Sequence, residues 1–357
     1  MIDLRSRIKD IIDIERKNNR FFVLNGDSVN LIQQIFDNYE ITHDLKQNLS
    51  NLPKEAELIL VVAPTGAGKD SLVNRINYEN PEKNYIELNM DMFRHYFSKF
   101  IEDTDELKDK TFAEQTNEFS YEMYYTIQEI LLQEFPGTNI IITGTLWQTD
   151  WIEETLKKYK DNEYTNYTTT ISSLAVPSKD SAFSIIKRYV SIVDNEVKKI
   201  NDDDELIYSP DFVPGTARYT SLKYHDETFE KFPINLKYFQ NLFENGKYID
   251  CMKVYKRANK ENDYSENTLV YSSDLDESGE DAVQVVKKIQ NAVSQITEED
   301  IIDLCDRIKD RKNMKYLKNQ DLFNDIVRDL SNICIVKKEQ DRKEEFKEST
   351  EDIKFEL

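Results

Sequence analysis

The chain has 357 residues, 39% of them hydrophobic and 32% charged, with a formal net charge of −21. That length and apolar share supply one large core with appendages, and the acidic excess excludes a sequence-independent grip on DNA or RNA, which needs clustered lysine and arginine. Cys251, Cys305 and Cys334 lack metal-ligand spacing and His43, His95 and His225 are scattered; with no signal-peptide core and no membrane-length apolar run, the expectation is a soluble cytoplasmic protein with reduced thiols, no zinc site and no membrane partner.

Residues 1–54 read as an N-terminal helical segment, with Leu4, Ile8, Ile11 and Ile12, and again Val29, Ile32, Ile35 and Phe36, at helical spacing. The segment is expected to be a helical layer over the core, or else a helical element that acts on the rest of the chain in cis. "NLPKE" (51–55) marks the boundary. Over 55–280 short apolar runs alternate with helical patterns. The candidate strands are 58–63, 84–88, 139–143, 169–176 and 248–256, and the clearest helices are 112–135 and 181–197. Such alternation implies parallel pairing through crossovers, and continuous apolar runs fit strands covered on both faces. The stretch 261–281 is polar and turn-rich. Residues 281–357 read as a C-terminal helical extension, with Thr297 and Asp300 as a capping pair and a charged tail.

The chemistry-bearing stretch is "LILVVAPTGAGKDSL" (58–72). A phosphate loop works by turning consecutive backbone N–H groups into one concavity at a helix start. Pro64, Thr65, Gly66, Ala67, Gly68, Lys69, Asp70 and Ser71 form the candidate ATP-binding loop, with Lys69 reaching the β- and γ-phosphates. Ala63 stands where the usual pattern starts with glycine, and Asp70 where it has the Ser or Thr that ligates Mg²⁺. A carboxylate is also a hard oxygen ligand, so Asp70 is the candidate metal residue. "GKDS" (68–71) resembles the loop of a ribose bisphosphokinase of phosphonate metabolism.

Further motifs follow in order: "ELNMDMFRHYF" (87–97), "TNEFSYEM" (116–123), "NIIITGTLWQTD" (139–150), "AVPSKDSAFSIIKRY" (175–189) and "GTARYTSLKYHD" (215–226). Together they resemble the zeta toxin family, over about 58–275. The resemblance implies an α/β, P-loop kinase-like parallel sheet with helices on both faces, here with N- and C-terminal helical extensions. It implies transfer of the ATP γ-phosphate to the 3′-hydroxyl of UDP-N-acetylglucosamine, with ATP and Mg²⁺ as cofactors and a small helical antitoxin as partner. By the same resemblance Lys69, Asp91, Arg188 and Arg218 are catalytic, Asp91 orienting or deprotonating the acceptor hydroxyl and the two arginines clamping phosphate oxygens. Asp91, Arg94, Thr143, Thr145, Trp147 and Thr155 are the substrate-binding candidates. The chain departs from the family at Thr143, where a sugar-nucleotide-binding glutamate is usual, at Trp147, often arginine, and at "FS" (97–98), usually His-Pro. These departures leave open a different nucleotide or dinucleotide cofactor as acceptor, and a nucleotide-binding regulatory module without turnover.

Overall fold

The strand "EAELILVV" shows how the sequence builds the centre of the molecule. Leu58, Leu60 and Val62 pack on one side and Ile59 and Val61 on the other, so an unbroken apolar run becomes a strand buried on both faces. The computed structural model describes residues 4–21, 23–24, 26–38, 55–97, 112–200, 206–208, 220–258, 267–275, 279–312, 328–329 and 333.

The described elements run in chain order as α1 (Leu4–Lys17), α2 (Gly26–Asn38), β1 (Glu55–Val62), α3 (Lys69–Glu79), β2 (Ile86–Leu88), α4 (Met90–Phe97) and α5 (Phe112–Glu134). After these come β3 (Ile140–Gly144), α6 (Asp150–Lys160), β4 (Asn166–Ala175), α7 (Ser178–Glu196), β5 (Val197–Ile200), β6 (Leu206–Tyr208) and α8 (Leu222–Glu244). The chain continues through β7 (Cys251–Lys256), β8 (Thr268–Ser272), α9 (Ala282–Gln290) and α10 (Glu298–Lys312). The main sheet has six strands in the order β2-β3-β1-β4-β7-β8. The first five are mutually parallel, and they are the five strands expected from the sequence. The sheet is mixed, not wholly parallel. β8 pairs antiparallel with β7, inside the stretch read from the sequence as polar and turn-rich. β5 and β6 form a separate antiparallel pair.

Helices cover both faces. On one, Leu72, Val73 and Ile76 of α3 pack on Ile59, Val61 and Ile141. On the other, apolar residues of α1, α2, α5, α6 and α9 pack on Leu58, Leu60, Ile140, Ile142 and Val254. The N-terminal helices share this core, which is the covering-layer arrangement. Arg7 of α1 pairs with Glu134 of α5 at 2.5 Å. The buried carboxylate of Glu122 on α5 accepts the N–H groups of Val23 (3.1 Å) and Leu24 (2.8 Å), closing the turn between α1 and α2.

The C-terminal extension packs on α7. Ile296 and Leu304 lie against Ala182, Phe183, Ile186 and Val190. Asp180, buried in the first turn of α7, accepts from the Ser294 hydroxyl (2.5 Å) and the Gln295 N–H (3.1 Å). The expected Thr297–Asp300 cap is present, with the Thr297 N–H donating to Asp300 at 2.9 Å and the Asp300 N–H to the Thr297 hydroxyl at 3.1 Å. Of the apolar stripe Leu322, Ile326, Leu330 and Ile333, all but Ile333 fall outside the described residues; Ile333 is buried in the α7–α10 cluster.

Candidate active site

Parallel strands deliver their carboxyl ends to one edge of a sheet, where α/β proteins gather ligands. Here the loop 64–68 follows β1, Asn89–Arg94 follows β2, Thr145–Trp147 follows β3, α7 starts just after β4, and Arg257 follows β7.

The glycine loop is shaped by two left-handed residues, Gly66 (φ 79°) and Gly68 (φ 89°). A turn inside it is closed by the Ala67 N–H on Pro64 O at 3.2 Å. Gly68 begins α3 without a side-chain cap, so the positive end of that helix is directed into the loop. Ala63 needs no glycine freedom. Its methyl is fully buried with Ala67, Leu72 and Val176, and its N–H reaches Gly144 O at 3.2 Å. Lys69 is half-buried at the helix start and Asp70 is exposed in the first turn. Ser71 is turned back on the loop, its hydroxyl donating to Gly68 O at 2.7 Å.

α7 supports the loop from below. The Ser181 hydroxyl donates to Thr65 O at 2.7 Å. A Cβ added to Gly66 would stand 2.5 Å from Ser181 O and 2.7 Å from Ile185 Cγ1. Gly66→Ala therefore combines a left-handed strain of about 1–2 kcal/mol with a clash against helix backbone that cannot rotate away. The expected result is a thermal midpoint lowered by several degrees together with loss of nucleotide binding, read by melting and by titration with a nucleotide.

After the end of β2, Asp91 and Arg94 form a built pair. Asn89 accepts the Asp91 N–H at 3.0 Å, so the helix-capping duty falls to Asn89 and not to Asp91. Arg94 Nε donates to Asp91 Oδ1 at 2.6 Å and its Nη1 to the buried Thr116 hydroxyl at 2.7 Å. The guanidinium is thus anchored in the protein while the Asp91 side chain is 63% exposed. Thr143 and Thr145 are half-buried at the end of β3, Thr143 in register with Val61 just before the loop. Arg188 is exposed on α7, the helix that carries the loop.

Two candidates stand apart from this group. Thr155 is buried on α6, inside the helical layer that also buries Tyr124 of α5. Trp147 sits at the edge, but its ring already packs on Tyr224 (5.4 Å between centroids) and under Lys231 Nζ (3.5 Å), both from α8. Asn235 of α8 holds the preceding turn through Leu146 O at 2.7 Å, and Leu146 has a left-handed φ of 55°. Arg218 lies outside the described residues.

Several functional candidates were not singled out in the sequence. Glu87, in register with Ile141, lies on the α3 face of β2. Burial holds its carboxyl above the ordinary range, the charge of Asp70 pushes it the same way, and the Asn89 amide opposes both. Its alternation with Ile86 and Leu88 was the available signal. Arg257 donates to Gly66 O at 3.3 Å, and a cation directly after a predicted strand was its signal. Asn267 and Ser181 carried none.

His225, fully buried on α8, pairs Nδ1 with Asp226 Oδ1 at 2.8 Å, and its Nε2 has no hydrogen-bond partner among the described residues. Burial lowers its pKa, against the opposing pull of Asp226. The unfolded chain takes up this proton near pH 6.5 while the folded chain does not. Stability should therefore fall as pH drops from about 6.5 towards the folded value. Urea titrations at several pH values should show a smaller loss in His225→Gln than in the native chain.

No curated protein matches the chain. Among solved structures, one from the PezAT chromosomal toxin–antitoxin system of Streptococcus pneumoniae has 18% identity and a TM-score of 0.50, covering 77% of this chain and 96% of that one. A structure of AvrRxo1-ORF1 with AvrRxo1-ORF2 and ATP has 12% identity and a TM-score of 0.49, covering 87% and 86%. The family model described as Zeta toxin matches residues 40–269, well over half of the chain. With the loop, the Asp91–Arg94 pair and the five parallel strands all inside that span, the protein belongs to the Zeta toxin family.

Proposed function

We propose that the protein is an ATP-dependent kinase that phosphorylates a hydroxyl of a small nucleotide-type acceptor. The observation that carries this is that an uncapped, glycine-shaped loop with Lys69 follows β1 while an arginine-anchored carboxylate, Asp91, follows β2, both at the carboxyl-end edge of one parallel sheet. Binding alone needs the first; transfer needs the second as well. Lys69 and the loop amides hold phosphates, Asp91 receives the acceptor hydroxyl's proton as that oxygen bonds to the γ-phosphorus of ATP and the bond from that phosphorus to the bridging oxygen breaks to release ADP, and Arg188 and Arg218 offset charge on the transferred group.

A magnesium ion would neutralise charge between the phosphates. The residues present fit it. Asp70 offers a hard oxygen ligand in the first turn of α3, and Glu87 adds a second carboxylate in its electrostatic reach. Among the described residues no group of three or more His, Cys, Asp or Glu could hold a metal, which agrees with an ion bound by one or two carboxylates plus substrate phosphates. Asp70→Ala should raise the Mg²⁺ concentration for half-maximal activity, and Asp70→Ser should restore much of the native dependence. Unchanged dependence in both would return Asp70 to a helix-terminal role, about 0.3–1 kcal/mol.

For the acceptor, the family resemblance favours the 3′-hydroxyl of UDP-N-acetylglucosamine. A second reading, another nucleotide or dinucleotide, is favoured by Thr143 in place of a carboxylate and by the engagement of Trp147 with α8. A small helical antitoxin is the proposed protein partner and the cytoplasm the proposed location. No helix among the described residues is long and apolar enough to cross a membrane. Incubating the purified protein with ATP, Mg²⁺ and a metabolite extract, followed by mass spectrometry, tests the reading. A new phosphorylated metabolite identifies the acceptor. ATP bound but never consumed would leave the nucleotide-binding module.

A further inference from the structure

The geometry points to Arg257 and Asn267, at the two ends of the β7–β8 connection, as positioning residues that fix the direction of the glycine-loop peptides. This rests on the kinase reading of the loop. In a phosphate-binding nest the amide N–H groups converge inwards only if the carbonyls of the same peptide units are turned outwards. A Gly-Ala-Gly run resists peptide rotation poorly, because its two glycines accept both signs of φ. Something outside the loop must set the direction.

Three carbonyls of this loop are held from outside. Thr65 O accepts from Ser181 of α7 at 2.7 Å. Gly66 O accepts from Arg257 Nη1 at 3.3 Å, while the N–H of the same peptide, on Ala67, is tied to Pro64 O at 3.2 Å. Both ends of that peptide plane are therefore fixed. Gly68 O accepts from the Ser71 N–H at 3.0 Å and the Ser71 hydroxyl at 2.7 Å. The Ser71 hydroxyl in turn accepts from Asn267 Nδ2 at 3.0 Å. Asn267 is 1% exposed, and its Oδ1 takes the N–H of Ala258, the residue after Arg257, at 2.9 Å. One buried amide thus joins the start of β8, the end of β7 and the first turn of α3.

The Arg257 side chain runs past the loop, its Cδ 3.6 Å from where a Gly68 Cβ would be, and Nη1 also donates to Ser184 Oγ of α7 at 3.1 Å. Its guanidinium meets the loop at a carbonyl, the side turned away from the nest. It acts on the peptide and not on the phosphate. A charged donor on a carbonyl also polarises the peptide unit, which adds to the orienting effect.

The test uses the full-length protein and calorimetric titration with ADP and with ATP, both with Mg²⁺, beside thermal melting without nucleotide. Arg257→Met keeps the aliphatic stem and removes the donor. Asn267→Asp keeps the acceptor for Ala258 and removes the donor to Ser71. Each variant is expected to weaken ADP and ATP equally, on the order of 10-fold, at a temperature where it remains folded. Arg257→Lys should recover part of the loss. In a Ser71→Ala background, Asn267→Asp should cost nothing further, because the two act as one chain. A loss confined to ATP would make Arg257 a γ-phosphate contact and overturn the positioning role. Unchanged affinities, or full additivity with Ser71→Ala, would overturn it as well. If the native protein binds neither nucleotide, the kinase reading fails and the inference fails with it; if the native protein binds and the variants match it, only the inference fails.

Discussion

Lys69→Ala should lower phosphoryl transfer by about 10²–10³-fold or more, the scale on which one preorganised electrostatic contact to the transition state is removed. Lys69 is half-buried at the first position of α3, outside the hydrophobic clusters, so its truncation opens no core cavity. The loss should therefore appear in turnover and nucleotide affinity while the thermal midpoint moves little. Native turnover in the variant would remove the loop from the reaction.

Asp91→Asn should lower turnover by about 10²–10⁴-fold, the usual contribution of a positioned acid–base group, and leave ATP affinity close to native. The amide can still meet Arg94 through its oxygen, so the Arg94–Thr116 anchor survives and the geometry is kept. Only the capacity to take a proton is lost. The measurement is kcat against nucleotide affinity in the same preparation. If affinity fell as far as kcat, Asp91 would belong with the metal and phosphates and not with the acceptor hydroxyl.

Strands β1 and β3 were legible because a strand buried on both faces is mostly apolar, and runs such as "LILVV" and "NIIIT" have few other uses in an acidic chain, whereas β4 buries Thr169, Ser172 and Ser173 among its apolar residues. β8 was hidden for the converse reason. As an edge strand its Thr268, Leu269 and Val270 are all exposed, so neither a continuous run nor clean alternation marks "TLVYS". α8 carries Pro233 within it, a residue that argues against a helix interior when read locally. At the site, loop residues announced themselves through glycine spacing. Asn267 and Ser181 could not, because their role depends on which backbone carbonyl the fold brings to them. Thr155, assigned to the substrate by motif, is buried on α6 inside the helical layer.

The Asp180 contacts have a bearing on the order in which the molecule can be made. Ser181 braces the glycine loop, and its neighbour Asp180 is a buried carboxylate satisfied by donors from residues 294 and 295. Until those donors arrive, the first turn of α7 carries a carboxylate that prefers water to the interior. Synthesis runs from the N-terminus, and 229 residues separate Thr65 from Ser294 (294 − 65). At roughly 5–20 residues per second, the ribosome spends about 10–50 s between making the loop and making its last support. Translation thus acts as a timer: the phosphate loop exists early, but its mounting is completed only after residues 294 and 295 have been made.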